Sequence, residues 1–203
     1  MKNQTNQSEI EWKRLGFLDC LDKEASSNKL KIPQSGFLKK GDYPIIDQGD
    51  KFIAGYTNDK SKVYNEKLPV IVFGDHTLVL KFVNFPFALG ADGVKILVPK
   101  KEINPKYLYY AIEKANIASV GYSRHYKFLK EIKIPIPFRN NQPDLKTQQK
   151  IVAILAKAEQ LKEKRKKAIE LLDEYVKSVF NAIILKGKSE GSWEYGPLSS
   201  FIQ

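Results

Sequence analysis

Cations, carboxamides and aromatic rings recur on glycine-led turns in the first 143 residues of this chain. Gln48-Gly49-Asp50-Lys51 sets an amide beside a cation, and Gly55-Tyr56-Thr57-Asn58-Asp59-Lys60 adds an aromatic, two polar side chains and a lysine. Gly74-Asp75-His76-Thr77 separates two apolar runs, so its polar tip is expected to face outward. Gly121-Tyr122-Ser123-Arg124-His125-Tyr126-Lys127 is the densest such group. Lysine and arginine neutralise phosphates, while planar and amide side chains hydrogen-bond base edges. By that chemistry Gln48, Lys51, Tyr56, Asn58, Lys60, His76, Thr77, Arg124, His125, Tyr126 and Lys127 are candidates for contact with nucleic acid. Each is equally at home in an ordinary solvated turn.

Catalytic chemistry has less support. Asn104-Pro105-Lys106-Tyr107 has the outline of the Asn-Pro-Pro-aromatic motif of amino-methyltransferases but lacks the second proline, and no glycine-rich cofactor loop precedes it. Asn104 is explained completely as a helix cap. Glu131-Ile132-Lys133 has the Glu-x-Lys form of some metal-dependent nucleases without a Pro-Asp partner upstream. His76, His125 and Cys20 show no zinc-ligand spacing, so no metal is expected. Cys20 has no base near it in sequence and reads as a packing residue. As the one cysteine it forms no internal disulfide, which fits a reducing compartment.

The elements that carry these loops are short. The chain of 203 residues has a formal net charge of +11, unevenly placed: residues 144–203 hold 11 Lys+Arg against 8 Asp+Glu, leaving 23 against 15 in residues 1–143. A basic globular part suits a polyanion. Within it Pro44-Ile46, Phe52-Ala54, Pro69-Phe73, Leu78-Val83 and Val94-Val98 read as strands between Gly-Asp turns. A helix capped by Asn104 starts at Pro105 and is expected to bury Leu108, Ala111, Ile112 and Ala115, and a short helical piece is expected over 126–131. Ile134-Pro137 forms a further strand.

From about residue 144 to 186 the pattern is that of one long helix, with Asp144 as N-cap, no Gly or Pro after Lys146, and Gly187 placed to end it. Steps of three and four pass through Ile151, Ile154, Ala158, Leu161, Arg165, Ala168, Leu172, Tyr175, Val179 and Ala182, widened by Leu155, Ile169, Val176 and Ile183. This is a heptad seam with one polar interruption, Arg165, and it needs a partner helix of similar length. The Lys162–Lys167 run reads as a solvated face of that helix. The fold class is α+β: a compact, irregular β-rich domain (1–143), a coiled-coil-forming helix (144–186) and a tail (187–203). No signal peptide or apolar run of spanning length occurs, so a cytoplasmic protein without a membrane partner is expected.

The chain also partly repeats. Glu11-Trp12-Lys13-Arg14-Leu15-Gly16-Phe17-Leu18 has an echo in Ser192-Trp193-Glu194-Tyr195-Gly196-Pro197-Leu198, with Trp, Gly and Leu coinciding after one gap. A second domain of the same type would begin there. Further groups are Gly41-Asp42-Tyr43-Pro44-Ile45 followed by Gln48-Gly49, Leu89-Gly90-Ala91-Asp92-Gly93-Val94, Tyr107-Leu108-Tyr109-Tyr110, Gly121 to Lys127, Ile134 to Pro137, and Gln148-Gln149-Lys150-Ile151. Over nearly its whole length, the chain resembles the specificity subunits of type I restriction-modification systems.

That resemblance implies a target-recognition domain reading one half of a split double-stranded DNA site, followed by a spacer helix. Methylation subunits would dock against it, and restriction or motor subunits would join through them. S-adenosylmethionine, ATP and magnesium would sit on those partners, and this chain would be non-catalytic. Family members carry two such units with antiparallel helices. This chain has one, so it is expected to be half of a longer subunit or to pair with itself. Because the 121–127 segment matches the family generally, backbone contact or domain support is favoured there over base choice. The alternatives are a stand-alone coiled-coil dimer whose sheet domain binds protein and, more remotely, a metal-dependent nuclease.

Overall fold

The structure is a computed structural model, and it describes residues 9–22, 31–90, 93–115, 117, 124–189 and 191. Its elements in chain order are β1 (Glu11–Gly16), β2 (Tyr43–Ile46), β3 (Gly55–Thr57), β4 (Val63–Tyr64), β5 (Val70–Gly74), β6 (Leu80–Val83), β7 (Phe87–Leu89), β8 (Val94–Leu97), α1 (Pro105–Lys114), α2 (Tyr126–Leu129), β9 (Lys133–Arg139), β10 (Gln142–Pro143) and α3 (Leu145–Ser189). The fold is α+β, with small sheets, short helices and one long helix. Two compact units divide it, Met1–Val152 and Ala153–Gln203.

Strand β5 organises the first unit. Its Val-Ile-Val-Phe run has no polar position because both faces are covered. Ile71 and Phe73 enter a core with Leu97, Leu108, Ile112, Leu129, Ile134 and Ile136, while Val70 and Val72 enter a second core with Ile46, Tyr64, Val83 and Phe87. Antiparallel partners β6 and β8 flank it, and the other sheets run β3-β2-β7-β4 and β1-β9-β10. In β9 the even positions Ile134, Ile136 and Phe138 face the core. Pro135 and Pro137 lack the N–H for a ladder, yet their carbonyls accept the Tyr107 hydroxyl at 2.6 Å and the Asp144 amide at 2.7 Å.

Several expectations are corrected. Phe52-Ile53-Ala54 is the approach to β3 and not a strand, because the Lys51 carbonyl is taken by the Lys81 ammonium and ladder register begins at Gly55. Leu78 has φ 61°, a turn conformation, so β6 starts at Leu80. Ala115 follows the last turn of α1 and is exposed, and the buried face is Tyr107, Leu108, Tyr110 and Ile112. Asn104 caps α1 as expected, accepting from the amides of Lys106 and Tyr107 at 3.0 Å each. The long helix runs past Gly187 to Ser189, since one glycine costs only about 1 kcal/mol in a helix. The Trp193 repeat and residues 121–123 lie outside the described residues.

The first two turns of α3 belong to the first unit. Ile151, assigned above to the pairing seam, is half-buried against that unit's core beside Val152. Gln148 is fully buried, its Oε1 accepting the Asn104 amide at 2.8 Å while its Nε2 donates to the Glu102 carbonyl at 3.2 Å. Asp144 accepts from the Lys146 and Thr147 amides, the Thr147 hydroxyl and Arg139 Nε. Burial works to raise its pKa, but the hydrogen bonds from Thr147 and Arg139 outweigh it and hold the carboxyl below its usual value. Because the native value is the lower one, Asp144 stabilises the fold fully above pH about 4, and this is lost as pH falls through the native value. Asp144→Ala is expected to cost about 1 kcal/mol at neutral pH. The difference in melting midpoint from wild type, followed by circular dichroism, should shrink below pH about 4.

Candidate nucleic-acid interface

The turn between β5 and β6 is the junction at which the candidate loops meet. Asp75 is buried; its amide donates to the Gly93 carbonyl at 2.6 Å, and its carbonyl accepts both the amide (2.8 Å) and Nδ1 (3.0 Å) of His125. Its carboxylate accepts the Tyr126 amide at 2.8 Å, which fixes the start of α2. On the other side the Thr77 hydroxyl donates to the Gln48 carbonyl at 2.6 Å, and the His76 amide donates to Gln48 Oε1 at 3.3 Å. Gly74 and Gly93 permit this close approach: a Cβ on Gly74 would collide with Thr77 and Gln48, and one on Gly93, at φ 84°, would meet Gln48 and His76 within 3 Å.

The candidates therefore divide by what they already do. His125 is buried and holds the turn, so it does not present a ring to a ligand. Tyr126 packs edge-on against Phe17 and beside Phe73, and burial raises its hydroxyl pKa. Gln48 spends its Oε1 on His76. The Asn58 side chain accepts the Asp42 amide at 3.0 Å and so closes the Gly41-Asp42 turn. Thr77, Lys51, Lys60, Arg124 and Lys127 are exposed, and Tyr56 and His76 are partly so.

Two groups of cations result. Lys31, Lys95 and Arg124, from three separate segments, line one depression with Asp75, His76 and Gly93. Lys51 and Tyr56 line another with Phe37, Leu38 and Lys39. The sequence reading missed Lys31, Lys39 and Lys95, because lysines on single strands and coil carry no local signal until topology brings them together. It also missed Lys81, which is 3% exposed on β6. Its alternation with Val83 on one face of the strand, at a position that calls for an aliphatic residue, was the available signal.

Catalytic readings gain nothing from the geometry. Among the described residues no group of three or more His, Cys, Asp and Glu side chains is placed to hold a metal ion. Asn104 is occupied as a cap. Cys20 is buried, its thiol donating to the Gly16 carbonyl at 3.6 Å. Desolvation, aided by the charge of Asp19 and opposed by Lys100, pushes its pKa up to about 11, the reverse of a nucleophile's environment.

Small sheets presenting cation-rich turns are continued by a helix of 45 residues. Residues 19–171 match the type I restriction modification DNA specificity domain, and the chain belongs to that family. It is 31% identical over 162 residues to the type I restriction enzyme EcoR124I/EcoR124II specificity subunit of Escherichia coli, an alignment covering 73% of this chain and 38% of that one. It is 36% identical over 90 residues to the type II restriction enzyme BgcI specificity subunit of Heyndrickxia coagulans, covering 42% and 26%. The chain thus spans well under half the length of these curated relatives. In fold it is similar to a chain from a structure of a type I R-M system (TM-score 0.63, 18% identity, covering 91% of this chain and 47% of that one). It is also similar to the type I S subunit of M. genitalium (TM-score 0.54, 19% identity, 77% and 40%).

The burial of the Cys20 thiol can be checked directly. A thiol-specific reagent such as Ellman's should leave Cys20 unmodified in the native protein at pH 8 and modify one thiol per chain on unfolding; rapid native reaction would contradict the burial.

Proposed function

We propose that this chain is the DNA-recognition part of a type I restriction-modification complex, reading one half-site and docking methylation subunits. The depression ringed by Lys31, Lys95 and Arg124, beside the His76-Thr77 turn, carries the reading. Cations from three segments converge there on one concave surface, which suits phosphates flanking base edges presented to the turn. The chain itself is non-catalytic. S-adenosylmethionine, ATP and magnesium belong to partner subunits, restriction subunits join through the methylation subunits, and the complex works in the cytoplasm. No helix among the described residues is long and apolar enough to cross a membrane.

The second unit supports pairing through α3. Ile154, Leu161, Ile169, Leu172, Tyr175, Val176, Val179 and Ile183 are all exposed large apolar side chains, with Ile154 at 69% and Tyr175 at 65%. Leu155, Ala158 and Arg165 complete the stripe. Left in water, such a row costs about 25 cal/mol for each Å² that a partner helix would cover. The partner is a second copy or the helix of a second recognition unit, and a second copy would make the target symmetric.

Two measurements follow. Binding to a fluorescent duplex of mixed sequence, by anisotropy across salt concentrations, should give a linear log–log slope that becomes shallower by about one unit for each of Lys31→Gln, Lys95→Gln and Arg124→Gln. A salt-independent or absent interaction would instead favour the protein-binding alternative. Light scattering at increasing concentration should give twice the 23.2 kDa chain mass for self-pairing. A constant monomer mass would reject it, and Leu172→Glu should abolish any dimer.

A further inference from the structure

Strand β6 has half-buried Leu80 and Phe82 on one face, and Lys81 with Val83 on the other, which is buried. Lys81 lies opposite Val72 of β5 and beside Val83, both of which belong to an apolar core cluster. A buried ammonium is costly unless every donor is met. Here the ammonium donates to the Asp47 carbonyl at 2.9 Å and the Lys51 carbonyl at 2.6 Å, and forms an ion pair with Asp47 Oδ1 at 3.5 Å. Desolvation lowers the lysine pKa, with Asp47 opposing. Asp47 Oδ1 also accepts the Gly49 amide at 2.9 Å, so the carboxylate shapes the same loop that the lysine grips.

The 47–51 loop is thus fastened to the β5–β6 hairpin twice. Lys81 holds its two ends from beneath, and Thr77 with His76 holds Gln48 at the hairpin tip. An aliphatic residue at 81 would pack as well and avoid the charge. What it would lose is the hold on the loop.

We infer that Lys81 is a positioning residue for DNA recognition, an internal strut that makes the Gln48–Lys51 loop and the His76–Thr77 turn one rigid reading surface without itself touching DNA. This rests on the proposed function. The structure gives the strut no route to a phosphate, so its effect should fall on sequence discrimination and not on the electrostatic part of binding.

The test uses the full chain and a duplex library randomised at its central positions, sequenced after selection, with salt-dependent anisotropy on the selected duplex and on the unselected pool. Lys81→Met, folded by circular dichroism, should lose about tenfold or more of the preference for the wild-type selection over the pool. Its salt slope should remain that of wild type. Asp47→Asn, a milder change at the same strut, should weaken the same base positions. Retained preference in a folded Lys81→Met chain overturns the inference, as does a slope shallower by about one unit, which would make Lys81 a phosphate contact. Unfolding of Lys81→Met together with full preference in Asp47→Asn overturns it as well. Failure of the wild-type chain to bind any duplex would overturn the DNA reading itself, and that outcome appears before any variant is compared.

Discussion

Asp75 is a buried residue whose backbone and side chain are all engaged with other segments: its amide with Gly93, its carbonyl with His125, its carboxylate with Tyr126. Only a short turn between two strands can offer all three groups in different directions, and β5, covered on both faces, keeps that turn from moving. The segment at 124–126 and the glycine at 93 are therefore placed relative to one another by one residue, and its neighbours His76 and Thr77 add the loop at 48. Its side chain contributes the bond to Tyr126, while the bonds to Gly93 and His125 belong to its backbone.

A second constraint lies where α3 leaves the first unit. Gln148 is one residue on the helix but satisfies two backbone groups of the 102–104 segment, and that segment caps α1. The helix start is in turn built on β9, through the Asp144 amide to Pro137 and Arg139 to the Asp144 carboxylate. The long helix is thus integral to the domain for its first two turns, which is why the compact unit extends to Val152.

Long and strongly patterned elements were legible in the sequence. The absence of Gly and Pro over forty residues, the Asn104-Pro105 cap and the unbroken apolar run of β5 each have one local explanation, and each is found as read. Strands of two or three residues such as β3, β4 and β7 were not legible, because so few residues cannot show a period and their pairing is decided by distant partners. The candidate site was legible in type more than in role. Turns rich in Gly, Asp, His and Lys were identified as polar loops, but His125 Nδ1 and Gln48 Oε1 bond within the protein and the Tyr126 ring packs on Phe17 and Phe73, which depends on which loop lies beside which. Lys31 and Lys95 carry no local mark at all.

The two prolines of β9 have an effect beyond their own hydrogen bonds. On the side of β9 away from β1, which the short β10 covers only at Phe138 and Arg139, Pro135 and Pro137 offer no amide, and their carbonyls are already claimed by Tyr107 and Asp144. A stray strand from another chain finds little to zip onto along that stretch, so this side of β9 is protected from strand addition by its own covalent chemistry.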